Sequence, residues 1–510
     1  MKNREGSIFR VFIYLLPAVL YFSYFPIIRL GANETMNFEL SLPLIWLVLF
    51  DLFSLVVLIR KKLISDFLKK WVWLLFPVFV TLSIIWSDNV VRGILTTGIL
   101  WLLYFAVFAF WQLKKEILND DHKKIFWRWF FVSSLLVCVW CWLQCVLDVI
   151  GVSRDCTLLC AGCTYKMFGF PHPNGFAIEP QFMGNLLLAP TIISGWMMTG
   201  PGNIFHLRPR PSGPSPRADG ANSRLARLRN AATLKYNCHL SLAVLFFIFM
   251  ATLFLTFSRG AIYAFVVAII FMSVFVVVRE RKKRGEILKR VGLLWGLVVL
   301  SFAFTLNMQG VFAQLSQTDD TYESGVAKVL NQLSLGIIDI RVDKKEFNKN
   351  DELDKKDTNE SVEGVEEAAI FDGYVAESTD TRVRLTKSAL TIWRKNFKNL
   401  AIGVGIGGAG QALYDNDLSP APKEIVQNEY ASLLLETGMI GFLLFILTIV
   451  LVIRVVMKDP NAGMVLTLII AYGITLCFFS GLPNALHIYL LPAILSIYSD
   501  KTGLRKKLVS

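Results

Sequence analysis

From Leu240 to Val278 the chain reads LSLAVLFFIFMATLFLTFSRGAIYAFVVAIIFMSVFVVV, two apolar runs separated only by Ser258-Arg259-Gly260. Each run is close to the roughly 20 residues that an α-helix needs to cross a bilayer core about 30 Å thick. Unpartnered backbone groups cost several kcal/mol in lipid, so each run must be helical. The stretch therefore predicts two membrane-spanning helices joined by a tight turn that carries an arginine.

The same pattern recurs along the whole chain, which has a mean hydropathy of +0.52 and 54% hydrophobic residues. Twelve segments have the composition of membrane spans: Ile8–Ile28, Leu42–Ile59, Trp71–Trp86, Ile94–Trp111, Trp127–Ile150, Phe182–Met198, Leu240–Phe257, Ala261–Val278, Val291–Leu306, Gly438–Met457, Met464–Phe479 and Ala485–Tyr498. We predict an all-α polytopic membrane protein with about twelve transmembrane helices. The net charge of +13 is divided into short runs between these segments, which argues against a nucleic-acid-binding surface.

Basic residues predict the orientation of these helices, because cytoplasmic loops are enriched in Lys and Arg. Basic runs occupy alternate short connections, at 60–70, 114–124 and 279–290. A basic stretch rich in Pro, Ser and Gly near 199–237 also follows an even number of predicted spans, so it lies on the same side as these connections. Both termini are then cytoplasmic, and a large loop between helices 9 and 10 lies on the outer face.

The chain divides into three parts on this basis. They are 1–308 with helices 1–9, 309–430 as the outer loop, and 431–510 with helices 10–12 and a basic cytoplasmic tail. Within the loop, the acidic and lysine-rich stretch near 343–380 has the composition of a mobile insertion. Leu385, Ala389, Trp393 and Phe397 recur at every fourth position, which predicts an amphipathic helix near 381–398.

Two arginines are candidate phosphate ligands, because a guanidinium group can clamp a phosphate through two parallel hydrogen bonds. Arg259 lies between two apolar runs at the predicted outer interface. Its alternative role is to snorkel to lipid headgroups. Arg382 precedes Leu385 and Ala389 by three and seven residues and so leans toward the packed face of the predicted helix. Its alternative is a surface ion pair with the acidic insertion.

Three polar residues stand where predicted outer segments enter apolar helices. Glu179 lies just before Pro180, where a favourable interaction with the helix dipole is the alternative to a catalytic role. Asn428 and Glu429 precede the tenth span. They either hold and deprotonate an acceptor hydroxyl or cap the entering helix.

Other motifs give weaker signals. The run Gly403-Val404-Gly405-Ile406-Gly407-Gly408 has dinucleotide-binding spacing, but no predicted strand precedes it, so we interpret it as a tight turn. Cys156, Cys160 and Cys163 form a loop trio for which a disulfide, or a zinc site with His172, remains an alternative. We predict no resident metal or cofactor.

The order and sidedness of several motifs carry a resemblance. These motifs are Trp86-Ser87-Asp88, Glu179-Pro180, Ser258-Arg259-Gly260, Thr381-Arg382, Gly403-Val404-Gly405, Asn428-Glu429 and Glu436-Thr437-Gly438-Met439-Ile440-Gly441. Together they resemble the O-antigen ligase and O-antigen polymerase superfamily of bacterial cell-envelope glycosyltransferases.

The resemblance implies a function and a site. Glycan carried on undecaprenyl diphosphate would be transferred to a hydroxyl of a lipid or glycan acceptor, at the outer face of the bacterial cytoplasmic membrane and without an obligatory metal. It implies that Arg259 and Arg382 hold the diphosphate, and that the Gln427 to Glu429 region addresses the acceptor. Many ligases have a His-Asn pair where this chain has Gln427-Asn428. Because Gln cannot act as a base, Glu429 is the nearest replacement, which favours a polymerase over a ligase.

We therefore predict that these residues meet in one outer-facing cavity open to the membrane. Glu429, Asn428 and Glu179 are the predicted catalytic residues, and Arg259 and Arg382 bind the donor diphosphate. A small-anion transporter is an alternative, although the two halves show no matching pair of helices broken by Gly or Pro. A protein O-oligosaccharyltransferase is another, since the loops contain no readable code for the acceptor.

Overall fold

The computed structural model describes most of the chain. The described residues are 2–21, 28–33, 36–69, 71–117, 120–150, 172–177, 179–199, 240–281, 284–315, 322–333, 380–422, 424–457, 462–480, 486 and 488–491. The predicted basic loop near 199–237, the acidic stretch near 343–380 before its last residue and the trio Cys156, Cys160 and Cys163 lie outside these ranges.

Helices dominate the described residues. They are α1 Lys2–Tyr21, α2 Leu42–Arg60, α3 Ser65–Leu68, α4 Trp71–Ser83, α5 Val90–Ile117, α6 Asp120–Val149, α7 Pro180–Thr199, α8 Leu240–Leu255, α9 Arg259–Arg279, α10 Arg284–Leu315, α11 Tyr322–Leu333, α12 380–394, α13 Phe397–Ile402, α14 Ala409–Tyr414, α15 Glu429–Val456 and α16 Ala462–Thr475. A 3₁₀ turn at Ile84–Trp86 follows α4. An antiparallel hairpin of β1 Ile28–Asn33 and β2 Met36–Leu40 joins α1 to α2 and was not predicted.

The prediction of an all-α polytopic membrane protein is confirmed. Within the described ranges, seven helices are long and apolar enough to cross a membrane, and three shorter apolar helices accompany them. Ten of the twelve predicted spans overlap described helices along most of their length. The first, Ile8–Ile28, extends too far, since α1 ends at Tyr21 and Ile28 begins β1. Of the last, Ala485–Tyr498, only 486 and 488–491 are described. The hairpin occupies a connection that the sequence leaves without regular structure, since two short strands lack the strong periodicity of the spans.

Small residues bring α7 to the centre of the bundle. Nearly all of its apolar window is buried, and it packs against α9, α16 and α10. A Cβ at Gly184 would lie 2.6 Å from Ser258 Cβ, and one at Gly195 would lie 3.1 Å from the Phe246 ring. Because lipid tails are as apolar as the helix surfaces, such close backbone approach is what favours helix association in a membrane.

The segment predicted as one amphipathic helix near 381–398 contains two helices. Leu385, Ala389 and Trp393 are buried along α12, as the four-residue spacing predicts. Asn396 interrupts the pattern: its side chain accepts a hydrogen bond from the Asn399 backbone N–H at 2.7 Å and caps α13. Phe397 is therefore 84% exposed rather than on the packed face.

The sidedness of the predicted loops gives a test of topology. We expect a Ser361→Cys variant, on a background in which the eight native cysteines are replaced, to react with an impermeant maleimide in intact cells. Any outer membrane is permeabilised first. The matched control is Ser215→Cys in the predicted cytoplasmic loop, which should react only after lysis. The reverse labelling pattern would invert the assignment of the outer face.

Candidate active site

The turn between α8 and α9 places Arg259 at the first residue of a membrane-spanning helix. Phe257 has φ +46°, a left-handed conformation that is rare and strained for an aromatic residue. The Ser258 backbone N–H donates to Thr256 Oγ1 at 3.4 Å, while the Ser258 side chain makes no capping hydrogen bond. The Arg259 side chain is half-buried and interacts electrostatically with Tyr263, one turn further along α9. The strained turn thus fixes the point at which α9, and with it Arg259, begins.

A buried loop supports this turn from the side of α6. The His172 ring stacks on the Phe257 ring with centroids 5.8 Å apart. Burial lowers the pKa of His172 to about 3, so the ring is neutral at physiological pH. Gln144 of α6 holds the loop, because its Oε1 accepts from the Gly175 N–H at 2.9 Å and its Nε2 donates to the Gly175 carbonyl at 3.2 Å. The loop leads directly to Glu179 at the start of α7.

Arg382 on α12 is connected to the start of α7. Its Nη2 donates to Gln181 Oε1 at 3.1 Å, and Gln181 Nε2 donates to the Phe478 carbonyl at 2.8 Å. Arg382 also interacts electrostatically with Glu179. Desolvation by the surrounding protein raises the pKa of the Glu179 carboxyl, and the charge of Arg382 opposes this rise. The residue as a whole is exposed. Glu179 therefore has a charged partner in addition to its favourable place before a helix.

The segment from Phe478 to Ser480, after α16, joins three of the predicted site regions. A Cβ at Gly260 would lie 3.0 Å from Phe478 Cβ, so this segment abuts the first turn of α9. The Phe479 ring packs edge-on against Phe182 of α7 with centroids 4.5 Å apart. Ser480 Oγ donates to a carboxylate oxygen of Glu429 at 3.2 Å.

Glu429 and Asn428 have well-defined partners at the start of α15. The buried Glu429 carboxylate accepts from Ser480 and, at 3.0 Å, from the Tyr489 hydroxyl. Asn428 Oδ1 accepts from the Ala431 N–H at 3.1 Å, so Asn428 caps the helix. Its Nδ2 group makes no hydrogen bond to the described residues and can donate to a ligand. Capping and acceptor binding are thus compatible for Asn428.

The glycine run forms a tight turn against two other motifs. Gly405 has φ +96°, and a Cβ there would lie 2.5 Å from Ser87 Cα. Ser87 Oγ donates to the Ile406 carbonyl at 2.8 Å. The Gly405 N–H donates to the Glu436 carbonyl of α15 at 2.9 Å. Because α13 precedes the run in the described chain, its context is not the strand that a dinucleotide-binding run needs.

Glu436 is a buried acid to which sequence reasoning assigned no role. Its carboxylate accepts from the Ala409 N–H at 3.4 Å and interacts electrostatically with Arg92 and Glu429. The available signal was its spacing of seven residues from Glu429, which places both acids on one face of a helix. Gln181, Ser480 and Tyr489 were also missed, since common polar residues near helix ends carry no distinctive pattern.

The predicted residues thus belong to elements that meet. Glu179 and Arg382 interact electrostatically. Arg382 reaches the Arg259 helix through Gln181 and Phe478, and Ser480 connects Glu429 to the same segment.

A sequence model of the O-antigen ligase family matches residues 243–446. This region is similar to an O-antigen ligase domain. It contains Arg259, Arg382, Asn428 and Glu429, whereas Glu179 and Ser480 lie outside it. No curated protein matches the sequence. The match covers 204 of the 510 residues. Together with the spanning helices it is consistent with a multi-pass membrane protein of the O-antigen ligase and polymerase superfamily, and it supports glycan transfer in general.

Proposed function

We propose that this protein transfers glycan from a lipid diphosphate to an acceptor hydroxyl at the outer face of the bacterial cytoplasmic membrane, without a metal. The observation that carries the proposal is the connection from Arg382 through Gln181 to Phe478, against the first turn of the Arg259 helix. This connection brings together the helices that carry Arg259 and Arg382. Two cations on neighbouring helices suit the binding of a diphosphate whose lipid tail stays in the bilayer.

In this proposal one set of residues acts on the leaving group and another set acts on the acceptor. The acceptor oxygen bonds to the anomeric carbon as the bond from that carbon to the diphosphate oxygen breaks, and the electron pair leaves with the diphosphate. Arg259 and Arg382 stabilise the negative charge that develops there, in a partly dehydrated site. Asn428 orients the acceptor, and Glu429 takes its proton late in the transfer. Glu179 keeps Arg382 in position through their electrostatic interaction.

Transfer in proteoliposomes tests this proposal. The purified chain is supplied with an undecaprenyl-diphosphate oligosaccharide and, separately, with a glycolipid acceptor, a second lipid-linked glycan and an acceptor protein. We expect product with the glycolipid or the lipid-linked glycan, unchanged by EDTA. Product on the protein alone would identify an O-oligosaccharyltransferase. Absence of product, with uptake of small anions into the same vesicles, would identify a transporter.

A further inference from the structure

A polar recess of about 210 Å³ lies on the predicted outer segment. Besides the buried Asn399, its polar lining comes from separate parts of the chain, namely Asp88, Lys395, Asn396, Lys398, Asp415 and Asn416. Asp88 follows the Ser87 turn, the next three residues span the α12–α13 junction, and the last two follow α14. The concave surface therefore depends on the tertiary fold.

Several lining groups are already fixed by hydrogen bonds. Lys395 Nζ donates to Asn416 Oδ1 at 2.8 Å, and Gln411 Nε2 donates to Asp415 Oδ1 at 2.8 Å. In contrast, the exposed Asp88 carboxylate and Lys398 ammonium make no hydrogen bond or ion pair with the described residues. The recess thus offers a carboxylate acceptor and an ammonium donor to a polar ligand.

The charge balance of the recess selects the class of ligand. Asp88 and Asp415 oppose Lys395 and Lys398, so the lining favours neither an anion nor a cation. Carboxylate, amide and ammonium groups in one recess suit the neighbouring hydroxyls of a sugar. A saccharide matches this combination better than a phosphate does.

The recess is also connected to the candidate active site. Val404 lines it, and the Val404 N–H donates to the Leu435 carbonyl of α15 at 2.9 Å. Leu435 lies six residues after Glu429, about 9 Å along a helix rising 1.5 Å per residue. The recess is therefore packed against the helix that begins at Glu429. We propose that the polar recess binds a sugar of the acceptor glycan, an inference that rests on the proposed function.

Binding without turnover tests the recess directly. The full-length protein in nanodiscs is titrated with the oligosaccharide released by mild acid from the host's lipid-linked glycan, and the Kd is measured by calorimetry. Replacing Asp88→Asn together with Lys398→Gln should weaken binding by about tenfold or more, because hydrogen bonds to two charged groups are lost. The control is Lys387→Gln, on a larger cavity of about 780 Å³ on the polar face of α12, which should leave the Kd unchanged.

Transfer assays separate this inference from the proposed function. The double variant should raise KM for the acceptor far more than it lowers kcat. No binding by the wild-type protein, an unchanged Kd in the double variant, or a loss confined to Lys387→Gln would overturn the inference even if transfer occurs. Recess-dependent binding by a protein without transfer activity would instead overturn the proposed function alone.

Discussion

Arg259→Lys should lower kcat for glycan transfer by about 100-fold or more, the effect of removing one preorganised group that stabilises developing negative charge. Lysine keeps the charge but replaces a planar two-point donor with a compact ammonium group. At this position the backbone cannot easily compensate, because the preceding Phe257 is held at φ +46° and Gly260 is packed against Phe478. The measurement is transfer in proteoliposomes at matched protein level.

Arg384→Lys is the matched control for this variant. Arg384 is an exposed arginine on the polar face of α12, two residues from Arg382, and it should tolerate lysine with activity close to wild type. An Arg259→Lys enzyme within about threefold of wild type would show that Arg259 acts as a headgroup-level cation, as in the snorkelling alternative.

The sequence predicts the spans well because their signal is local. Each apolar run must satisfy its own backbone in lipid, so its length and composition determine its structure. Phe397 shows the limit of this reasoning. It continues the four-residue spacing of Ala389 and Trp393, but the Asn396 cap starts a new helix at this point, and the Phe397 ring is exposed.

The site is less predictable because its contacts are distant along the chain. Gln181 joins Arg382 to Phe478, which are 201 and 297 residues away from it. Charged residues in apolar surroundings are conspicuous in a sequence, so the two arginines and the acids Glu179 and Glu429 are found, whereas Glu436 is not. Their neutral partners, a glutamine, a serine and a tyrosine, become informative only once the fold places them beside those charges.

Glu429→Gln should lower kcat by about 10²- to 10⁴-fold, the range of a positioned general base. Glutamine has nearly the shape of glutamate, and its amide oxygen can still accept a hydrogen bond from Ser480 or Tyr489. The start of α15 should therefore stay in place while the proton acceptor is lost. Thermal unfolding in detergent, measured beside the transfer rate, checks that the two properties separate.

Tyr489→Phe distinguishes a base from a structural anchor. It removes the Tyr489 hydroxyl that donates to Glu429 but leaves the carboxylate able to accept a proton. If Glu429 is the base, this variant should retain far more activity than Glu429→Gln, because its effect is on the orientation of the carboxylate. If Glu429 serves only to hold α15 against the segment after α16, both variants should lower the unfolding temperature, and activity should follow stability in each. Equal activity of Glu429→Gln and wild type at unchanged stability would exclude proton transfer to Glu429. The nearby buried Glu436, which interacts electrostatically with Glu429, would then be the next carboxylate to replace.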